Sequence, residues 1–357
     1  MNSSEGSIQM PSEKTPARVA FIGCGGHATR SLLPCVSEIP EMDLAAVCDL
    51  RAALAEDRAR RFGARTWHTD FRRMLDEVRP DGVVVCGPPQ MHYEIGMECL
   101  RLGFPIFVEK PSALDSALAQ EMAGAAAAAG SFGMVAFMKR HAAAYIMAHE
   151  IVARPEFGGI NIIEARFGQG PYPAIWGIET AAQSFLVGQV VHIFDLVQMF
   201  GGDVAEVHAR YFEKTPNHFG YVADLRFANG AIGLLNLNGL ENRQGFRDFT
   251  ERLAISGHEH YLQVDDMLYV HLQAADDWFE PPPGFHVGKQ SYRFQPTGPG
   301  APSMAWLLGY VGELQTFARS LLSRTPGRAD LTDGAKALKV GEAVWRSINE
   351  GRAVTLD

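Results

Sequence analysis

The sequence predicts an α/β protein with two parts. An N-terminal Rossmann-type domain with a parallel sheet precedes a C-terminal α/β domain with a large mixed, mostly antiparallel open sheet. Three observations predict it. Short apolar runs alternate with helical stretches from residue 17 to about 138, the period of a parallel sheet with helices on both faces. A glycine turn separates the first apolar run from the first helical stretch. Beyond residue 138, strand-like segments follow one another with short turns, the habit of antiparallel or mixed sheets. At 357 residues the chain is long for a single core, so two domains are expected.

Val19–Ile22 is short and apolar, as a buried parallel strand requires. After the turn Gly23–Ala28, a helix is expected over about Thr29–Ser37, interrupted by Pro34. Leu44–Cys48 is the second strand and ends on Asp49. Arg51–Phe62 reads as a helix capped by Gly63, Trp67–Asp70 as a short extended link, and Phe71–Val78 as a helix stopped before Pro80. Val83–Cys86 is a strand, Gly87–His92 a loop, Tyr93–Leu102 a helix closed by Gly103, and Pro105–Val108 a strand ending on Glu109-Lys110-Pro111. Ser112–Gly130 is helical, with Ser112 or Asp115 near its start, and Met134–Phe137 completes the alternation. The second half opens with a helix over His141–Val152, a strand over Ile160–Phe167 and one long helical segment over Gln183–Phe200. Strands are expected at Val204–Phe212, Tyr221–Phe227, Ala231–Leu237, Arg252–Ser256, Tyr261–Val264 and Met267–His271, with Asn229-Gly230 as a hairpin turn. Pro281–Pro302 reads as a long irregular loop, Met304–Leu322 and Asp333–Asn349 as helices, and Gly351–Val354 as a closing strand.

The turn Gly23-Cys24-Gly25-Gly26-His27-Ala28 fits the pattern G-x-G-x-x-G/A. Gly23 permits the tight turn, Gly25 lets the backbone approach a pyrophosphate, and Ala28 is small enough for the helix to lie close to the strand. Backbone N–H groups of the turn, through Gly26 and His27, would face the phosphates. The context makes the pattern a dinucleotide fingerprint: a strand before it, a helix after it, an acid at the end of the next strand. Asp49 would accept hydrogen bonds from the adenosine ribose and repel a 2′-phosphate, which favours NAD over NADP. Arg51 is near enough to blur that preference, so NADP is not excluded.

The chain carries 32 Lys and Arg against 41 Asp and Glu, a net charge of −9. That argues against a dedicated nucleic-acid binder. Five cysteines, Cys24, Cys35, Cys48, Cys86 and Cys99, have no C-x-x-C spacing. With no apolar signal segment in the polar stretch Met1–Pro16, they point to reduced thiols and a cytoplasmic protein, and their spacing suggests no metal site. No apolar run reaches membrane-spanning length.

Taken together, the fingerprint Gly23–Ala28, the Pro-x-x-x-His segment Pro88–His92, the triplet Glu109-Lys110-Pro111 and the segment Gly188–Asp195 resemble the glucose–fructose oxidoreductase / inositol dehydrogenase / rhizopine catabolism family, Gfo/Idh/MocA. Asp333-Gly334 and Gly351–Val354 resemble its closing helix and strand. The polar stretch 1–16 reads as a flexible tail, and the resemblance implies a dinucleotide-binding domain over 17–138 and a substrate and oligomerisation domain over 139–330. A C-terminal helix and strand over 331–357 would pack back towards the first domain. It also implies a homo-oligomer, dimer or tetramer. The implied activity is NAD(P)-dependent hydride transfer at a hydroxyl or carbonyl carbon of a sugar, aminosugar or cyclitol.

On that resemblance Lys110 and His192 are the catalytic pair. The Lys110 ammonium would hydrogen-bond the reacting oxygen, and His192 would be general base in oxidation and general acid in reduction. Glu109 would contact the cofactor or hold Lys110. Gly87, Pro88 and His92 form a second cofactor loop, with His92 a ligand contact or a residue bonding backbone at a helix start. Asp195 orients the imidazole or joins a core interaction. Many members carry an Asp four residues before the His, where this chain has Gly188; His192 then acts alone with Lys110, or Gln189, Tyr172 or Lys139 fills the space. Lys139 and Arg140 could bind substrate hydroxyls or carboxylates, and Tyr172 and Trp176 could stack on a sugar ring. The competing readings are a dinucleotide sensor without catalysis and an NAD-assisted glycoside hydrolase or lyase.

Overall fold

The structure, a computed structural model, describes residues 15–241, 249–274, 290–296 and 302–356. The first sheet contains β1 (Ala17–Ile22), β2 (Met42–Cys48), β3 (Thr66–His68), β4 (Gly82–Val85), β5 (Ile106–Val108) and β6 (Gly133–Val135). All are parallel, in the order β3-β2-β1-β4-β5-β6. The order reverses beside β1, and a crevice for ligands opens there at the carboxyl ends of the strands. Apart from the exposed edge strand β3, the strands are buried on both faces, which is why they read as continuous apolar runs.

The second sheet contains β7 (Ile162–Gln169), β8 (Val204–Thr215), β9 (His218–Phe227), β10 (Ile232–Asn238), β11 (Phe249–Ser256), β12 (Tyr261–Asp265), β13 (Tyr269–Ala274), β14 (Gln290–Phe294) and β15 (Val354–Thr355). Its order is β14-β13-β12-β11-β7-β10-β9-β8-β15, antiparallel except where β10 runs parallel to β7. The β9–β10 hairpin turns at Asn229-Gly230 as expected, with Gly230 at φ +92° and the Ala231 N–H bonded to the Asn229 side chain. One face of the sheet packs on helices Ala143–Val152, Ala181–Gly188 and Val191–Gly201 through Phe167, Phe185, Phe194, Phe219 and Tyr221.

Several elements differ from expectation. Residues after the glycine turn form a π-helical turn, Ala28–Leu32, and a 3-10 segment, Leu33–Glu38, because Pro34 cannot continue an α-helix. The helix expected from Ser112 begins at Ser116, capped by Asp115, which accepts from the Leu118 N–H. The single helix expected over Gln183–Phe200 is two helices, Ala181–Gly188 and Val191–Gly201, bent by 43°. Met304–Leu322 likewise divides at Gly309, whose φ of +93° and contact with the Met138 carbonyl exclude a side chain. Strand β14 lies within the segment expected to be irregular, most of which falls outside the described residues.

Two late segments cover the first sheet. Helix Tyr310–Ser323, within the 139–330 span, lays Val311, Leu314, Phe317 and Ala318 against Val19, Phe21, Val84 and Phe107. Gly82 has no room for a Cβ because Phe317 and Leu321 lie against it. The chain then runs along β6, where the Val135 N–H donates to the Ala329 carbonyl, and enters helix Leu331–Glu350 through a capping box formed by Asp330 and Asp333. Glu342 of this helix accepts from the Ser116 N–H and hydroxyl, 2.6 Å each, placing a carboxylate on another helix's N-terminus.

Candidate active site

The glycine turn has the shape its sequence implies. Gly23 takes φ +92°, and a Cβ there would strike the Cys86 carbonyl. A Cβ on Gly25 would meet nothing within 4 Å, so the backbone is bare on that side. Asp49 holds the turn from the end of β2: its carboxylate accepts from the Cys24 N–H and the Arg51 N–H, 3.0 Å each, and from Arg51 Nε at 3.1 Å. Partial burial raises its pKa, but these donors outweigh burial and hold it below the usual carboxylate range. A fixed anion at this strand end, beside a bare glycine backbone, fits a dinucleotide with its ribose on Asp49 and its phosphates on the turn.

Glu109, at the end of β5, is buried and accepts on both oxygens, from His27 Nε2 at 2.8 Å and from the Lys110 N–H at 3.0 Å. Burial would raise its pKa, but the His27 ring and the Lys110 charge draw it below the ordinary value. His27 therefore closes the glycine turn over the second loop. The Lys110–Pro111 peptide is cis. The Lys110 side chain crosses to the second domain, where its Nζ donates to the Gly188 carbonyl at 2.9 Å. Burial lowers its pKa against the pull of Glu109.

His192 stands in the first turn of helix Val191–Gly201, its ring edge-on to Phe137 at 5.9 Å. Its Nδ1 is buried without a hydrogen-bond partner among the described residues. Burial, reinforced by the Lys110 and Lys139 charges, pushes its pKa well below the ordinary value and leaves a neutral imidazole. A neutral imidazole near a poised ammonium can take a proton from an alcohol or return one to a carbonyl oxygen.

Four polar side chains serve internal contacts: for His92 and Asp195 this is the second of the two alternatives read from the sequence, and for Lys139 and Arg140 it replaces the expected substrate contact. His92 is buried, with Nδ1 donating to the Pro111 carbonyl at 2.8 Å and Nε2 accepting from the Gly87 N–H at 2.9 Å. Both nitrogens are used, and burial lowers its pKa to about 4; it latches the Gly87–Pro88 loop to the Lys110 turn rather than touching a ligand. Asp195 does not orient His192: it takes Arg140 Nη2 at 2.6 Å and Nε at 2.9 Å. Arg140 is fully committed, its Nη1 reaching Asp333 at 2.9 Å. Lys139 is buried on Glu251, over the Phe167 and Phe249 rings, and Tyr145 donates to the same carboxylate. Sequence reasoning named Lys139 and Arg140 without pairing them to Glu251, Asp195 and Asp333, which come from strands and helices more than fifty residues away.

Tyr172 and Trp176 do reach the site, packed against Gly188, with Gln189 half-buried at the helix bend. Sequence reasoning missed Gln90, whose Nε2 donates to the Trp176 carbonyl at 2.8 Å and ties the loops of the two domains. It also missed Glu313, buried near Glu109 and Lys110 with neither oxygen hydrogen-bonded among the described residues. No spacing rule singles out either residue. Among the described residues no cluster of three or more His, Cys, Asp or Glu could hold a metal ion, and no single helix is long and apolar enough to cross a membrane.

A parallel sheet with a glycine cradle, an acid at the second strand end and a Lys–His pair over the crevice defines a nicotinamide-dependent oxidoreductase. Comparison with known families agrees. Residues 17–137 match the model of the oxidoreductase family with an NAD-binding Rossmann fold, and residues 145–263 match the GFO/IDH/MocA C-terminal domain. The chain belongs to the Gfo/Idh/MocA family and is an NAD-dependent oxidoreductase. It is 22% identical to a myo-inositol 2-dehydrogenase of Thermotoga maritima over 95% of this chain and 98% of that protein. It is 30% identical to a D-glucoside 3-dehydrogenase of Escherichia coli, over 56% of this chain and 59% of that one. Among solved structures, a dehydrogenase from Chromobacterium violaceum superposes with a TM-score of 0.86 at 22% identity, covering 95% of this chain and 97% of that one.

Proposed function

We propose that the protein interconverts a secondary alcohol and a ketone on a sugar, aminosugar or cyclitol, with Lys110 and His192 handling the oxygen and its proton. The observation that carries this reading is the tie from Lys110 Nζ to the Gly188 carbonyl, at the bend that leads into His192. The nicotinamide supplies or accepts the hydride. Asp49 and the glycine turn would hold the cofactor's ribose and phosphates, His27 and Glu109 fix the loop that carries Lys110, and Lys110 would stabilise negative charge on the reacting oxygen. In oxidation the neutral His192 takes the hydroxyl proton; in reduction the imidazolium returns it. The relatives' names, an inositol and a glucoside dehydrogenase, support a ring polyol.

The test is turnover: purified protein with NAD+ and a panel of inositols and glycosides, read by NADH absorbance. Accumulation of NADH with at least one ring polyol is expected. None from any of them, in either direction, with NAD bound, would favour a sensor.

The homo-oligomer belongs to the same proposal. The outer face of the second sheet exposes Ile162, Phe212, Val222, Ile232 and Leu234, and Ile162 is registered beside Ile232. A second copy of the chain is the occupant that the family resemblance supports for this apolar face. Light scattering would give a dimer or tetramer mass, and a monomer would refute it.

A further inference from the structure

The site has no side chain at residue 188, where an acid would complete a Lys–Asp–His set, and the structure shows what fills that space. A Cβ on Gly188 would lie 2.7 Å from Trp176 Cζ3 and 2.9 Å from the Tyr172 hydroxyl oxygen. Both approaches are closer than a real Cβ makes, so any side chain at residue 188 would have to displace the ends of both aromatic residues. Their placement is built. The Trp176 carbonyl is held by Gln90, the Ile175 N–H by Ser184 Oγ at 3.1 Å, and the Tyr172 N–H by the Asn217 carbonyl at 3.2 Å. The Tyr172 ring packs edge-on against Phe185, centroids 5.4 Å apart. Trp176 sits at φ +58°, a left-handed conformation uncommon for a non-glycine residue. Such conformations persist where surrounding contacts impose them, and they cluster at ligand sites.

The chemistry of the pair is specific. Burial pushes the Tyr172 phenol up to about 12, so at neutral pH it is a neutral donor and acceptor, not a base. Its hydroxyl makes no hydrogen bond among the described residues, yet it lies against Gly188, whose carbonyl holds Lys110. The two cations that the sequence offered for a substrate carboxylate are engaged elsewhere, Lys139 with Glu251 and Arg140 with Asp195 and Asp333.

We propose that Tyr172 and Trp176 replace the missing acid as a substrate-binding pair selective for neutral cyclic polyols. The Tyr172 hydroxyl hydrogen-bonds a ring hydroxyl next to the reacting carbon, and Trp176 lies along the ring's apolar C–H face. Proton transfer stays with His192. The inference rests on the dehydrogenase reading for the nature of the ligand, but binding and turnover can be measured apart.

The probes are myo-inositol and methyl glucoside, against glucuronate as the carboxylated ring, added to the enzyme–NADH complex. Intrinsic tryptophan fluorescence reports binding. The wild type is expected to bind a neutral ring at least tenfold more tightly than glucuronate. Tyr172→Phe should weaken neutral-ring binding about tenfold, the worth of one neutral hydrogen bond, with NADH affinity unchanged. Trp176→Phe should abolish most of the substrate-induced fluorescence change while the protein still binds NADH, which shows that it is folded. Tighter binding of glucuronate, no binding of either neutral ring, or unaltered ring affinity in Tyr172→Phe would overturn the proposal. Ring binding that follows these expectations without turnover would leave it standing and refute the dehydrogenase reading instead.

Discussion

The Lys110 ammonium is hydrogen-bonded to the Gly188 backbone carbonyl across 2.9 Å, so a side chain of the first sheet is aimed by the main chain of the second domain. A carbonyl neutralises no charge, and burial without a full counter-ion keeps the Lys110 pKa lowered. Lys110→Met is expected to reduce kcat by about 10²–10⁴-fold, the range for loss of a group that assists proton transfer. NADH affinity, measured by fluorescence titration, should change little, because the phosphate and ribose contacts lie elsewhere. Unchanged kcat would remove Lys110 from the chemistry.

Asp49 serves both the turn and the ribose. Asp49→Ala should weaken NAD by roughly 10–100-fold, as expected for hydrogen bonds to a charged group, and weaken NADP less, because the charge that repels a 2′-phosphate goes with it. Dissociation constants for both cofactors decide this; equal losses would leave Asp49 with its contacts to the Cys24 N–H and Arg51 and no part in ribose recognition.

The depressed pKa of His192 fixes a pH dependence. As base in oxidation it must be neutral, so kcat/KM for oxidation should fall only when the pH drops below the ordinary histidine range near 6.5. An acid limb centred at or above neutrality would contradict the buried, neutral imidazole. His192→Asn should remove that limb and lower kcat by about 10²–10³-fold.

Glu313 gives a stability prediction independent of catalysis. Its carboxyl is fully buried, and burial, with Glu109 nearby, raises its pKa well above the ordinary value. The folded state therefore holds a proton that the unfolded chain releases near pH 4.5. This group favours folding below that pH and loses the contribution as pH rises through its folded pKa. Glu313→Gln, which stays neutral, should raise the melting temperature relative to wild type at pH 8 to 9 more than at pH 5. A gain independent of pH would mean that the carboxyl does not titrate as its burial requires.

Arg140 bridges two carboxylates, one of them fully buried. Arg140→Met strands Asp195 and should cost about 3–5 kcal/mol in urea unfolding, whereas the double change with Asp195→Leu should recover much of it, since a buried ion pair has little net value over apolar packing. A mild single-variant effect would show that Asp195 had been neutral throughout.

What was legible in the sequence is what depends on local pattern. The runs Val19–Ile22 and Val83–Cys86, the turn at Gly23 and the hairpin at Asn229-Gly230 all have their cause within a few residues, and the structure places them as read. That Lys110 and the Gly188–His192 segment share one site was legible through motif resemblance. The bend at Gly188–Val190 was not, because continuous apolar composition satisfies one buried helix or two equally well. The partners of His92, Asp195, Lys139 and Arg140 were not legible, for a different reason. A polar residue's task is decided by its partner, and Asp195 lies 55 residues from Arg140, Glu251 112 from Lys139.

Helix Leu331–Glu350 packs on helix Ser116–Ala128 of the first layer and on helix Val191–Gly201 and strand β8 of the second, and Asp333 at its start accepts from Arg140. It works as a splint across the two halves. Jaw-like opening at this back edge would have to break the Glu342–Ser116 clasp and the Arg140 bridge together. The opposite rim carries lighter ties, Gln90 to the Trp176 carbonyl and Lys110 to the Gly188 carbonyl. On that side the halves are held, among the described residues, by two lone hydrogen bonds and no ion pair, so hinging there breaks less than it would at the splint.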